Sequence, residues 1–302
     1  MNFARITGYS LILATLLATT IGSSQESKEK PLRIIAFGAH PDDAEFRLSG
    51  CAAKWTALGH KVKFVSVTNG DIGHWKESGG ALAKRRIAEV EEAARRLGIE
   101  VEVLDIHDGE IMPTLENRKI IARLIREWDA DIVITHRPYD YHPDHRNAGL
   151  LVRDAAFMIR VPFYVPDTPA IQHATTFLYF YDRFTTPYPF KADIAVSIDD
   201  VFDKKLDAID ALASQVYEGG ALGTEKTLTQ RFAGDEIMRK KFLTKSWQNR
   251  DGNIADKFRE SLVKWYGEEK GNEAKYAEVF EICEYAHQPG EAEIKRLFPF
   301  FD

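Results

Sequence analysis

The sequence has few cysteines, and they follow no pattern that a metal or redox site would need. Only two of the 302 residues are cysteine, Cys51 and Cys283. They lie far apart and form no C-x-x-C pair. We expect two isolated buried cysteines, although a disulfide between them stays open at this stage.

A surplus of positive charge is also missing. The formal net charge is −6 at pH 7. Nucleic acids and anionic membrane surfaces attract basic proteins, because their binding rests largely on Lys and Arg contacts to phosphates. The charge balance argues weakly against both, and we expect no nucleic-acid partner.

Long apolar runs are scarce, and the one near the start of the chain is short. Arg5 precedes an apolar run from Leu11 to Ala18, and the small residues 22–24 follow it. This layout predicts a secretory signal peptide over residues 1–24 and a secreted or periplasmic protein, with an N-terminal anchor as the alternative. The run is too short to span a bilayer comfortably. We expect no stable membrane span after signal removal.

The glycine pattern of nucleotide-binding folds is absent where it would be needed. The first apolar run is followed by GAHPDD (residues 38–43), which has one glycine and two carboxylates. A dinucleotide site needs G-x-G-x-x-G there, and carboxylates would repel a pyrophosphate. The glycines of residues 219–224 precede no Lys-Ser/Thr pair in P-loop spacing, so we interpret them as flexible loop.

What the sequence does contain is a regular alternation of strands and helices. This order predicts an α/β fold, a Rossmann-like three-layer α/β/α arrangement with a mostly parallel sheet. Residues 25–302 are expected to form a single domain with C-terminal helical additions and irregular strands and helices in the C-terminal half. The predicted helices of the first half are 45–58, 82–97, 115–128 and 145–159.

The second half gives a less regular pattern. The segments TTFLYFYD (175–182) and KADIAVSIDD (191–200) are predicted strands. Residues 201–215 are a predicted helix, and residues 218–230 a predicted loop. The C-terminal third is predicted to be helical, with interruptions at Gly252, Gly267 and Pro289.

Two motifs rich in histidine and aspartate follow two of the predicted strands. AHPDDAE (39–45) follows the apolar run RIIAF, and HRPYDYHPDHRNAG (136–149) follows the run DIVIT. The carboxyl ends of parallel strands meet at one edge of a sheet, where α/β proteins bind their ligands. We therefore expect both sets of side chains to lie close together.

Histidine and aspartate at this spacing suit a zinc ion. A catalytic zinc takes three protein ligands and keeps one position open. The H-x-x-D of the first motif supplies two ligands, and HPDH can supply the third. The adjacent aspartate can then serve as a base for the attacking water, which explains a paired carboxylate. The simpler alternative is a polar turn in which Asp43 caps the following helix.

These motifs resemble those of the PIG-L/LmbE superfamily, whose members are zinc-dependent de-N-acetylases of N-acetylglucosamine conjugates. Four further segments are similar to the family pattern, while Arg47 and Ser49 replace residues that are often smaller there. The similar segments are VTNGD (67–71), RIAEVEEAARRLGI (86–99), DIHDGEI (105–111) and AKYAEVFEI (274–282).

The resemblance assigns roles to individual residues. It implies an LmbE-like fold and a Zn²⁺ site, although another divalent ion such as Fe²⁺ would also suit these ligands. His40, Asp43 and His145 match the metal ligands. Asp42 matches the general base, and His142 matches the residue that stabilises the oxyanion or acts as acid. Asp144 is expected to orient its neighbours.

Three further residues are candidate substrate contacts, each with a simpler alternative. Arg86 matches a family arginine near the substrate, and the alternative is a pair with Glu89 on its own helix. Asp140 can line the pocket or form a turn beside Pro138. His74 lies in a glycine-flanked loop, which is either a lid or sugar platform, or a mobile surface loop.

The function predicted from these residues is a secreted metal-dependent hydrolase. It would remove the N-acetyl group from an N-acetylglucosamine-type sugar or glycoconjugate, a small-molecule partner, by means of a zinc-activated water. One alternative is an amidase of the same scaffold that cuts a larger amide or an N-glycosyl conjugate. The other is a non-catalytic secreted sugar-binding protein, although a binder would need no base at Asp42.

Overall fold

The computed structural model describes residues 1, 30–232 and 234–301. The predicted signal peptide lies, apart from Met1, outside the described residues, and so does the boundary at residue 25. Both stay predictions. Residues Pro31–Asp302 form one compact unit.

Five parallel strands form the larger part of a seven-stranded sheet. Strand β1 is buried along nearly its whole length, as expected for an apolar run between two helical layers. Its Ile34 pairs with Val62 on one side and with Ile132 on the other. The parallel strands are β1 (Arg33–Gly38), β2 (Lys61–Ser66), β3 (Glu100–Val103), β4 (Ile132–Thr135) and β5 (Thr176–Phe180).

Four helices connect these strands, close to where the periodicity predicts them. The second begins three residues earlier than predicted and ends at Gly98, whose φ of 75° lies in the left-handed region that glycine adopts without strain. In the third, the Thr114 side chain accepts a hydrogen bond from the Asn117 backbone N–H. The helices are α1 (Asp43–Ala57), α2 (Gly79–Leu97), α3 (Leu115–Trp128) and α4 (Pro143–Met158).

The order of the strands is β3-β2-β1-β4-β5-β7-β6, where β6 is Ile194–Ser197 and β7 is Ala277–Ile282. The chain leaves β1 towards β2 on one side, while β4 lies on its other side. The carboxyl ends of β1 and β4 therefore border the point where the order reverses, which is the usual ligand site of open α/β sheets.

Apolar side chains on the two faces of the sheet form separate cores. Ile34 and Ala36 of β1 face the core beneath α1 and α2. Ile35 and Phe37 face the opposite core, beneath α3 and α4. This alternation gives the expected three-layer α/β/α architecture. Cys51 and Cys283 are free and buried, as expected.

The C-terminal half differs from the prediction in several places. Strand β7 (Ala277–Ile282) lies within the segment expected to be helical and pairs antiparallel with β5 and with β6 (Ile194–Ser197). Its residues are buried on both faces, so it lacks the alternation that marks a half-exposed strand. The predicted helix over 201–215 is divided into α5 (Phe202–Asp210) and α6 (Ala213–Val216), preceded by a 3-10 turn.

Two further predictions in this half are wrong. The expected loop over 218–230 contains a 3-10 turn (Gly220–Leu222) and helix α7 (Glu225–Gln230). Gly252 lies inside α8 (Glu236–Lys257), where a Cβ would approach the Lys275 carbonyl oxygen to 3.6 Å. A single glycine costs a helix only about 1 kcal/mol relative to alanine, so packing keeps α8 continuous. The remaining helices are α9 (Arg259–Tyr266), which ends at Gly267 as predicted, α10 (Glu268–Glu273) and α11 (Glu291–Leu297).

Candidate metal centre and active site

Two connections build the site at the point where the strand order reverses. Residues 39–42 join β1 to α1, and residues 136–142 join β4 to α4. Since β1 and β4 are hydrogen-bonded neighbours, their following connections emerge side by side. The two motifs predicted to meet do so here.

The Asp43 carboxylate lies at the centre of three imidazoles. Its Oδ2 is 3.4 Å from His40 Nδ1, 3.2 Å from His136 Nε2 and 3.4 Å from His145 Nε2. Its other oxygen accepts a hydrogen bond from Arg47 Nη1 at 2.7 Å. Burial opposes ionisation of Asp43, but His145, His136 and Arg47 hold the pKa of this carboxyl well below its usual range.

His145 is oriented by a second carboxylate. Its Nδ1 lies 2.9 Å from Asp140 Oδ1, and this oxygen also accepts the His142 backbone N–H. A proton on Nδ1 leaves the lone pair of Nε2 facing Asp43, an arrangement typical of metal-ligating histidines. Burial lowers the pKa of His145, but Asp43 and Asp140 outweigh it and raise the pKa to about 9.

His40 faces carboxylates from both ring nitrogens. Its Nδ1 is the nitrogen near Asp43. Its Nε2, on the other side of the ring, lies 3.1 Å from Asp108 Oδ1 and 3.4 Å from Asp144 Oδ2. Asp144 is fully buried and also accepts backbone N–H groups from Gly109 and Ile111, at 2.6 and 3.1 Å. Asp144 thus lies beside His40 without a hydrogen bond to it, and its orienting role stays a prediction. Burial alone would lower the pKa of His40, but the facing carboxylates raise it well above its usual range.

Asp42 is partly buried, with 15% of its side chain exposed, and is held by Arg86. Its Oδ2 accepts from Arg86 Nη2 at 3.1 Å. It occupies the N-cap position of α1, yet its side chain forms no capping hydrogen bond. Burial raises the pKa of Asp42, while the charge of Arg86 works against this shift. An available carboxylate with a raised pKa suits a general base.

Arg86 itself is not an exposed helix charge. It is 2% exposed and donates to the carbonyl oxygens of Pro41 and Gly70, both at 3.2 Å. The alternative in which it pairs with Glu89 does not occur, since Glu89 bonds Ser214. The neighbouring glycines leave room for the guanidinium, because a Cβ at Gly73 would lie 2.1 Å from Nη1. Arg86 is therefore placed to position Asp42 rather than to contact a substrate.

His142 begins α4 and has one free ring nitrogen. Its Nδ1 accepts the Asp144 backbone N–H at 3.2 Å, so the neutral ring carries its proton on Nε2. Burial and the neighbouring His40 and His145 lower the pKa of His142. A neutral ring with a free N–H is suited to donate a hydrogen bond to an oxyanion.

His74 does not join this cluster. Its Nδ1 accepts backbone N–H groups of Lys76 and Glu77, and its Nε2 lies 3.0 Å from Glu218. Only Nδ1 is hydrogen-bonded, since the Nε2 contact with Glu218 is close but does not have hydrogen-bond geometry. The loop that carries His74 is hydrogen-bonded to the segment after α6, since the indole of Trp75 donates to the Glu218 carbonyl oxygen. The structure places His74 in this contact and not beside the two motifs.

Sequence reasoning missed two residues of the cluster, His136 and Asp108. His136 follows β4 directly and stacks on His145 with ring centroids 4.2 Å apart. Its Nε2 accepts the Ala39 backbone N–H, and burial lowers its pKa to about 4. Its position at a strand end was the available signal, and Asp108 lies in a quoted family segment. Asp140, expected to line the pocket, bonds His145 and also lines the neighbouring cavity.

The donor set fits a divalent metal ion. His40 Nδ1 and His145 Nε2 each lie 3.4 Å from Asp43 Oδ2. Ligands about 2.0–2.1 Å from a tetrahedral zinc are separated by about 3.3–3.4 Å, so these spacings are those of ligands sharing one ion. His136 is a poorer ligand, because its Nε2 already accepts a backbone N–H. Within the described residues, the donor groups close enough to share one ion are His40 with His142 and His145, Asp43 with His136 and His145, and His40 with Asp108 and Asp144. The predicted set of His40, Asp43 and His145 combines members of the first two groups and stays a prediction.

Fold and site together define an α/β protein with a candidate hydrolytic metal centre at the carboxyl edge of its sheet. The family profile described as PIG-L, GlcNAc-PI de-N-acetylase, matches residues 35–156. Diacetylchitobiose deacetylase of Thermococcus kodakarensis is 31% identical over 227 residues, which cover 72% of this chain and 83% of that protein. The chain belongs to the PIG-L family of de-N-acetylases.

Solved structures of similar fold carry different activities. N,N'-diacetylchitobiose deacetylase from Pyrococcus horikoshii, in complex with its inhibitor MPG, has a TM-score of 0.64 and 24% identity over 83% of this chain and 84% of that one. GalB of Pseudomonas putida, a 4-carboxy-2-hydroxymuconate hydratase, also has a TM-score of 0.64, with 20% identity over 86% of this chain and 99% of that one. At these identities the likeness concerns the fold, and function must be argued from the site.

Proposed function

We propose that this protein is a zinc-dependent hydrolase that removes the N-acetyl group from an N-acetylglucosamine-type sugar or glycoconjugate. Its family consists of de-N-acetylases, and the similar Thermococcus protein acts on diacetylchitobiose, a disaccharide of N-acetylglucosamine. Fe²⁺ would fit the same donor atoms, since affinity alone does not select the metal.

One observation carries the proposal: the predicted ligand Asp43 and a second carboxylate, that of Asp42, lie next to each other. Asp43 faces the imidazoles of His40 and His145, while Asp42 is held by Arg86 without being used as a helix cap. A structural turn would need only one of the two aspartates. A binding protein would need no base beside its metal.

Each side chain of the site has a different role in the hydrolysis. When bound, zinc polarises the amide carbonyl and makes water a better nucleophile at neutral pH. Asp42 accepts the proton that water loses as its oxygen bonds to the carbonyl carbon. His142 donates its Nε2–H to the oxyanion that develops there. The C–N bond then breaks, the nitrogen receives the proton held by Asp42, and the amine and acetate leave.

An aromatic side chain beside the reacting groups supports a sugar substrate. Tyr141 is 69% exposed, and its ring meets those of His142 and His145 at 5.7 and 5.4 Å between centroids. An exposed ring at the mouth of a polar site offers a surface on which a sugar ring can pack.

We further propose that the protein is exported. The support is the pattern of residues 1–24, an early arginine followed by an apolar run and small residues. Within residues 30–232 and 234–301, no helix combines the length and apolarity needed to cross a membrane.

Acetate release tests the activity. The purified protein is incubated with N-acetylglucosamine and diacetylchitobiose, and acetate and free amine are measured before chelation, after chelation and after zinc is returned. We expect both products in equal amounts, loss of turnover on chelation and recovery with zinc. Turnover that persists after complete metal removal would contradict the proposal.

A further inference from the structure

A cavity of about 510 Å³ opens next to the candidate metal centre. Two of its lining residues also touch that centre: Arg47 bonds Asp43, and Asp140 bonds His145. Tyr141 lies between the cavity and the two histidines of α4. A substrate whose acetamide reaches the metal centre would extend its remaining part into this cavity.

One face of α8 forms the far wall. Arg250, Asn253, Ile254 and Lys257 recur at the three- and four-residue spacing that places side chains on the same side of a helix. Arg250 and Lys257 therefore present two cations, about two turns apart, to the same space. Arg183, on the segment after β5, adds a third.

The two carboxylates that line the cavity already have partners elsewhere in the protein. Asp182 accepts two hydrogen bonds from the Arg137 guanidinium, both at 2.7 Å. Asp140 is occupied by His145 and by the His142 backbone. Neither is left to neutralise the cations of the opposite wall.

Arg250 has no anionic partner of its own. In the part of the chain that the structure describes, it has no hydrogen bond or ion pair. Its guanidinium lies over the rings of Phe46 and Trp247, at 5.8 and 5.7 Å from their centroids. Burial lowers the pKa of Arg250, and Asp251 only partly offsets this. Lys257 likewise lies over aromatic rings, those of Tyr181 and Phe258.

We propose that this basic cleft, formed by Arg250, Lys257 and Arg183, binds an anionic group of the substrate. The preferred substrates are then acidic N-acetylglucosamine derivatives, which carry a phosphate or a carboxylate in addition to the acetamide. A guanidinium and an ammonium on separate turns of one helix suit the several oxygens of such a group. This inference rests on the proposed deacetylation and narrows its substrate class.

Matched substrates test the inference in the zinc-loaded protein. N-acetylglucosamine is compared with its 1-phosphate and 6-phosphate, and N-acetylmuramic acid with its methyl ester, which has the same skeleton without the charge. We expect at least one acidic compound to have a KM roughly tenfold or more below that of its neutral counterpart, as for a charge-assisted contact. The phosphate and carboxylate arms identify which anion the cleft accepts.

Arg250→Gln should abolish this preference by raising the KM of the acidic compound to about that of its neutral counterpart. Lys245→Gln removes a cation from an exposed position of the same helix and should keep the preference. Arg250→Lys should retain part of the preference for acidic compounds. A preference that survives in Arg250→Gln would mean that the anion binds elsewhere, for example at the metal, and would overturn the inference.

Two other outcomes separate the inference from the proposed function. Equal kinetics for neutral and acidic compounds would overturn the acidic preference but keep the deacetylase. If no compound is hydrolysed, the proposed function fails, and calorimetric binding of glucosamine 1-phosphate against glucosamine still decides the inference. Stronger binding of the phosphate that is lost in Arg250→Gln supports the cleft, and equal binding overturns it.

Discussion

The Nδ1 atom of His145 lies 2.9 Å from Oδ1 of Asp140, and the opposite ring nitrogen faces Asp43. The contact fixes which nitrogen of His145 is protonated and how the ring is turned. A residue five positions away in sequence thus orients the ring of a predicted metal ligand.

Asp140→Asn should weaken metal binding. An amide stabilises the required tautomer less well than a carboxylate, and loss of such a partner typically costs about 10–100-fold in metal affinity. Competition with a chromophoric chelator measures the affinity directly. Asp167→Asn, which removes an exposed partner of Arg123, is the control and should bind zinc like the parent. Unchanged zinc affinity in Asp140→Asn would show that the contact does not prepare the ligand.

Asp42→Asn should lower turnover without lowering metal binding. The amide cannot accept a proton, so we expect kcat for acetate release to fall about 10²–10⁴-fold. Zinc content should stay at the parental level, because Asp42 is not among the residues facing His40 and His145. Atomic absorption of the purified variant checks the metal. Full activity in Asp42→Asn would place the base elsewhere.

Gly73→Ala should lower activity through Arg86. The added Cβ would lie 2.1 Å from Arg86 Nη1, so the guanidinium must move away from Asp42. We expect a fall in kcat and a loss of about 1–3 kcal/mol in the free energy of unfolding, the usual cost of overpacking. Gly80→Ala is the control, since a Cβ there meets nothing within 4 Å. Equal effects in Gly73→Ala and Gly80→Ala would show that displacement of Arg86 does not cause the loss of activity.

Lys205→Met should destabilise the protein strongly. Lys205 is buried, and its Nζ lies 2.8 Å from Asp251 and 2.9 Å from Glu278. Removing it leaves two buried carboxylates without their cation, which typically costs about 3–5 kcal/mol in the free energy of unfolding. Urea unfolding gives the value. Lys204→Met, at an exposed position of the same helix, should differ little from the parent.

Glu218 should make stability depend on pH in the acidic range. Hydrogen bonds from Arg85, opposed by burial, lower the pKa of Glu218. Unfolded chains bind this proton first, at about pH 4.3, so the stabilisation is complete above that pH and is lost as the pH falls towards the folded value. Melting temperatures of Glu218→Gln should decline less than those of the parent between about pH 6 and 3. Glu225→Gln, which removes an exposed partner of Lys76, should follow the parent.

Much of the parallel half of the fold can be predicted from local patterns. Helix α3 has the predicted bounds, and α2 ends at Gly98 as predicted, because helical periodicity and a left-handed glycine are properties of short segments. Strand β7 could not be predicted this way. Both of its faces are buried by elements distant in sequence, so its pattern contains no signal of period two.

The candidate site likewise has one part that the local sequence predicts and another part that it does not. The sequence by itself determined that AHPDDAE and HPDH follow parallel strands and offer ligand and base chemistry at one edge. Only the tertiary structure decided that Arg86 is buried against Asp42, that Asp140 supports His145, and that His74 lies beside Glu218. These contacts depend on strand order and on loops that pack across it. Local sequence contains the periodicity of each element, but not which distant side chain fills the space beside it.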